Sequence, residues 1–152
     1  MPDIMHQLTI HAPPEPVYRA LTTADGVRGW WTRDAMLDPE VGGIGKFEFY
    51  DGRTVTKIRI DEQEAPARVG WSVTSSTIMG WNGTVIGFDL RADGDNTVLS
   101  FAHRDWAEAN ETYARVTTGW AYFLVSLRQY IETGTGAPHP DVDFFRIIKK
   151  EG

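Results

Sequence analysis

Across residues 42–104 apolar and polar side chains alternate with a period of two, and after Asp105 the apolar period lengthens to three and four. That switch most constrains the fold: an antiparallel sheet with one oily face must be covered by one long helix. Phe47 and Phe49 share a face, with Lys46, Glu48 and Tyr50 opposite. Four more inward faces follow: Thr54, Thr56, Ile58 and Ile60; Val69, Trp71 and Val73; Thr84, Ile86, Phe88 and Leu90; Thr97, Leu99, Phe101 and His103. Asp51-Gly52, Asn82-Gly83 and Asp93-Gly94-Asp95-Asn96 supply the positive-φ residues that tight hairpin turns need. Trp81 falls beside one of these turns and is expected on an exposed hairpin tip.

Upstream, Ile4, His6, Leu8 and Ile10 alternate as a first strand, which Pro13 and Pro14 stop. A short helix is expected over 15–21, and Thr23 is placed to cap a second one ending near Trp30 or Trp31. At the other end, Asp105-Trp106-Ala107-Glu108 has the form of a capping box. It predicts a helix over 107–133, roughly 40 Å long, that presents Tyr113, Val116, Trp120, Phe123, Leu124, Leu127, Tyr130 and Ile131 on one face. Gly134 and Gly136 end it. One domain is expected over 1–136. A tail over 137–152 carries Phe144, Phe145, Ile147 and Ile148.

Composition excludes more than it names. A net charge of −6 argues against nucleic acid as a partner. With no cysteine there are no disulfides, thiol nucleophiles or thiolate metal sites, which fits a reducing, cytoplasmic setting. No apolar run is long enough for membrane insertion, and no signal peptide is expected. His6, His11, His103 and His139 lack ligand-like spacing, so neither a metal nor another cofactor is expected. Gly42-Gly43-Ile44-Gly45 precedes a strand and lacks the Gly-Lys-Ser/Thr ending of a phosphate loop. The excess is aromatic: six Trp, five Tyr and seven Phe need burial.

Several segments, in this order, resemble a known family. They are the run Ala12-Pro13-Pro14-Glu15-Pro16-Val17-Tyr18-Arg19-Ala20-Leu21-Thr22, Trp30-Trp31, Gly42-Gly43 with Phe47, and Trp71. Thr97-Val98-Leu99-Ser100-Phe101-Ala102-His103 with Trp106 follows, then Gly119-Trp120, Leu124, Leu127, Tyr130-Ile131-Glu132 and Gly134. Together they are similar to the small single-domain START-like (SRPBCC) proteins related to the activator of the heat-shock-protein-ninety ATPase. The resemblance implies an α+β helix-grip fold: a curved antiparallel β-sheet wrapped around a long C-terminal α-helix, with two short helices after the first strand. It also implies an apolar cavity between sheet and helix. The eukaryotic co-chaperone carries a separate amino-terminal chaperone-binding domain, for which 152 residues leave no room.

The expected function is therefore binding of a small hydrophobic ligand (a lipid, polyketide or aromatic compound) in that cavity. The candidate lining is Trp30, Trp31, Phe49, Ile58, Trp71, Phe88, Phe101, His103, Trp120, Phe123 and Leu124. The competing reading is that these side chains simply fill one core. Two other functions stay open. A cyclase or dehydratase-type enzyme would use His103 as acid/base, and an imidazole with an ordinary pKa of about 6.5 suits that task. A protein-interaction or co-chaperone-like module, including a homodimer, would use the apolar tail.

Overall fold

The computed structural model describes residues 2–142. The alternating blocks become strands because each sends its β-branched and aromatic side chains to one side. Strand β1 (Ile4–Ile10) leads into helices α1 (Pro14–Thr22) and α2 (Ala24–Trp30). Six strands follow: β2 (Asp34–Leu37), β3 (Ile44–Phe49), β4 (Thr54–Glu64), β5 (Arg68–Ser76), β6 (Val85–Asp93) and β7 (Asn96–Arg104). Helix α3 (Glu111–Thr133) comes last. The strands form one seven-stranded antiparallel sheet in the order β1-β7-β6-β5-β4-β3-β2. The β4–β5 register shifts at Lys57/Ile58 and again at Ile60/Glu62. Such irregularities bend and twist a strand, and the sheet curves around α3 in the helix-grip architecture expected from the sequence.

Local chemistry sets the element ends. Thr23 Oγ1 accepts from the Gly26 N–H at 3.0 Å, capping α2 as expected. Gly134 adopts a φ of 87° and its N–H donates to the Tyr130 carbonyl, ending α3. The other end of α3 corrects the sequence reading. Asp105 takes a φ of 72° and does not cap the helix. Asn110 does, its Oδ1 accepting from the Tyr113 N–H at 3.0 Å. The capping-box pattern failed because Trp106 buries its indole against Trp81, His103 and Tyr113, which holds the chain out of helix until it has passed.

Two further points differ from expectation. Strand β2 was not anticipated, since four residues with only Ala35 fully buried give too short a pattern. Trp81 is 4% exposed, not at an open tip. Its loop folds inward, the Thr84 hydroxyl donates to the Trp81 carbonyl at 2.6 Å, and the indole stacks on Trp120.

The segment after α3 is fastened to the domain. His139 donates its N–H to the Trp31 carbonyl (2.9 Å) and accepts at its own carbonyl from the Arg33 N–H (2.8 Å). Arg33 and Asp141 form an ion pair at 2.6 Å. Ser126 of α3 donates its hydroxyl to the Trp30 carbonyl and accepts from the Ala137 N–H. The apolar pairs Phe144-Phe145 and Ile147-Ile148 lie outside the described residues.

Glycine decides how closely α2 approaches α3. A Cβ at Gly29 would run into the ring of Tyr130. Gly29→Ala is expected to lower the unfolding free energy by about 1–3 kcal/mol, the usual cost of overpacking. Adding Tyr130→Ala to the same chain should make the two effects non-additive, measured by denaturant unfolding of both single variants and the double variant.

Candidate functional site

The backbone of α3 lies closest to α2, β1 and α1. Aromatic rings from the middle strands reach across to it. Trp30, Trp31 and Trp71 stack nearly parallel, at 5.7 Å and 10° for the first pair and 6.4 Å and 11° for the second. Trp31 also tilts against Phe47 (4.6 Å) and Trp120 (5.0 Å). Trp71 meets Phe88 edge-on at 5.3 Å, Phe88 meets Phe101 at 5.3 Å, and Phe101 tilts on Trp120 at 4.5 Å. Offset and edge-on contacts of this kind contribute about 0.5–1.5 kcal/mol each beyond burial.

The sequence-predicted residues are thus largely brought together. Trp30, Trp31, Trp71, Phe88, Phe101, His103 and Trp120 belong to one run of touching rings. Phe49 joins it through Trp31 and carries Phe123 with it. Ile58 and Leu124 are buried in the same core. Of the indoles, Trp30 has a fixed role, donating Nε1–H to the Ala20 carbonyl at 3.0 Å.

Sequence reasoning left Trp106, Phe47 and Thr84 out of the site and gave Trp81 only an exposed place at the cavity rim. Phe47 and Thr84 stand on the inward faces that the period-two pattern identifies, so a signal was present. Trp81 and Trp106 lie in loops, where no periodicity reports direction.

His103 is fully buried at the end of β7. The Thr84 hydroxyl has one proton and gives it to the Trp81 carbonyl, so at 2.8 Å it accepts from His103 Nε2–H. His103 Nδ1 accepts from Trp120 Nε1–H at 3.1 Å. These partners fix the neutral Nε2–H tautomer. Burial pushes the pKa down to about 3. With both nitrogens engaged, the ring works as a hydrogen-bond hub that ties β7, α3 and the Trp81 loop together. An acid/base would need one nitrogen facing a substrate, and here each faces protein.

Three indole donors contrast with that completeness. Nε1 of Trp71, Trp81 and Trp106 is buried and has no hydrogen-bond acceptor. A buried donor left unsatisfied costs about 1–3 kcal/mol. Among the described residues no three His, Asp or Glu side chains are grouped to hold a metal. No helix among them is long and apolar enough to cross a membrane.

Known structures share this fold. The Aha1 protein of Colwellia psychrerythraea, solved in solution as a dimer, is 35% identical with a TM-score of 0.80, covering 90% of this chain and 100% of that one. MLL2253 of Mesorhizobium loti aligns with a TM-score of 0.77 at 19% identity, covering 86% and 97% of the two chains. CalU16 of Micromonospora echinospora aligns at 0.69 and 22%, covering 87% and 77%. No curated protein matches the sequence. The family model described as "Activator of Hsp90 ATPase homolog 1-like protein" matches residues 11–132, from the end of β1 almost to the end of α3. A match over nearly all of the sheet and its gripped helix, joined to the identity with the Colwellia protein, makes this chain a member of the Activator of Hsp90 ATPase homolog 1-like family.

Proposed function

We propose that the domain binds a small, mostly apolar molecule bearing hydrogen-bond acceptors, held between the sheet and α3. The observation that carries this reading is the set of buried indole donors on Trp71, Trp81 and Trp106, which an acceptor-bearing guest would satisfy. The aromatic faces of Trp31, Trp71 and Trp120 would stack on a flat or polyketide-like body. Trp31 lies between α2 and β2, outside any helix or strand, its N–H donating to the Val27 carbonyl and its carbonyl accepting from the His139 N–H. Displacing its ring would free space against Phe47, Trp71 and Trp120 without breaking a strand.

Titration with the neutral fluorescent probe 6-propionyl-2-(dimethylamino)naphthalene, whose ketone oxygen can accept from an indole N–H, tests this. Saturable, one-to-one probe fluorescence with matching quenching of tryptophan emission is expected. No saturable uptake by the native chain, where Trp31→Ala takes up the probe, contradicts it.

A second reading, self-association, is favoured by the dimeric state of the Colwellia protein. Light scattering on the eluting peak should give twice the 17.1 kDa chain mass; a mass of one chain removes this reading.

A further inference from the structure

We propose that a groove beside β2, outside the aromatic interior, is a second binding site, and that it takes a small amphipathic anion of the medium-chain carboxylate type. The groove has a volume of about 420 Å³ and is walled by α2, β2, β3 and β4. That volume lies within the usual range for small-molecule sites. No aromatic side chain lines it, so it is separate from the interior stack.

Its floor is apolar and wet. Met36 and Ile44 are 66% and 64% exposed, on the same sheet face as the charged Lys57, Arg59 and Asp61. Leu37 and Gly45 pair across β2 and β3 and line the groove from the opposite, core-facing side, where a Cβ on Gly45 would come within 3.0 Å of Leu37 and Ile58.

Its lining carries three cations, Arg28, Lys46 and Lys57, against one carboxylate, Asp38, in a chain whose net charge is −6. Lys46 and Lys57 are directly opposite each other in the β3–β4 ladder. Like charges in that position destabilise a sheet unless something lies between them to offset the repulsion. Glu48 reaches Lys46 at 3.4 Å, whereas Lys57 has no ion-pair partner among the described residues. The other polar groups are already engaged. Asp38 accepts from the Ile44 N–H at 2.8 Å, and Arg28 is held by Asp25 and the Ala35 carbonyl. A carboxylate between the two lysines relieves the repulsion, and its alkyl chain covers Met36 and Ile44 on the same face. Neither half of that match needs the interior to bind anything.

The test is an amide-resolved NMR titration of the full chain with sodium octanoate, with octanol and sodium acetate as controls. Saturable shifts centred on Met36, Ile44, Gly45, Lys46 and Lys57 are expected, with each control at least tenfold weaker. Lys57→Gln and Met36→Ser replace exposed side chains, and each should raise the apparent Kd at least fivefold while circular dichroism stays native. Three outcomes overturn the proposal: octanoate shifts confined to residues around Trp31, Trp71 and Trp120, Kd unchanged in both variants, or acetate binding as tightly as octanoate.

Discussion

Replacing Trp31 by alanine is expected to lower the unfolding free energy by about 3–5 kcal/mol and to tighten the binding of small aromatic guests. The size of the loss follows from position. Trp31 is 3% exposed and touches Trp30, Phe47, Phe49, Trp71 and Trp120, so truncation removes a ring from the centre of the stack. The surrounding rings are anchored on β3, β5, α2 and α3, and cannot collapse fully into the gap. An apolar cavity of this kind stays dry and accepts apolar guests. Added indole should therefore raise the melting temperature of Trp31→Ala at concentrations well below those that move the native chain, in which a guest must first displace the Trp31 ring. Trp31→Phe, with a smaller deletion, keeps the measurement available if the alanine variant is too unstable to purify. Equal response to indole in native and variant chains would show that the space beside Trp31 is not closed by its ring.

Acidification is expected to destabilise the protein through His103. Its native pKa is held at about 3 by burial, whereas an unfolded histidine titrates near the ordinary 6.5. Between those values the unfolded chain binds the proton that the native chain refuses. Stability is therefore full above pH 6.5 and falls as the pH drops toward 3, by about 4 kcal/mol across the window. The groups facing the ring are the Thr84 hydroxyl and the indoles of Trp81, Trp106 and Trp120, none of which titrates there. His103→Gln can still donate toward Thr84 and accept from Trp120, but it cannot take up a proton. Urea unfolding at pH 7, 5.5 and 4 should show the variant less stable than the native chain at pH 7 and the gap closing as the pH falls. Parallel curves would mean that another group sets the acid sensitivity.

Much of this was legible before any coordinates. The period-two faces of Phe47, Ile58, Trp71, Phe88 and Phe101 are buried together because alternation in a strand is a direct statement about direction. The long helix was legible through Trp120, Phe123, Leu124 and Leu127 for the same reason at a different period. What escaped was irregular chain. Trp81 and Trp106 turn inward from loops and are held by ring packing, Trp81 against His103 and Trp120 and Trp106 against His103 and Tyr113, contacts that no local pattern announces. The sequence left His103 open between a hydrogen-bonded core-edge histidine and an acid/base, because position on an inward face says nothing about partners. Only the Thr84 hydroxyl and the Trp120 indole reveal that both ring nitrogens are engaged. The groove beside β2 escaped for a plainer reason: the four-residue strand that walls it was not anticipated.

The most direct test of the interior site is a set of intermolecular nuclear Overhauser effects between bound 6-propionyl-2-(dimethylamino)naphthalene and the protein. The expected result is contacts from the probe to the indole rings of Trp31, Trp71 and Trp120, with the Nε1–H resonances of Trp71 and Trp81 shifting in a guest that carries an acceptor. Saturable binding with contacts only to surface residues, and unmoved indole resonances, would contradict a site between the sheet and α3.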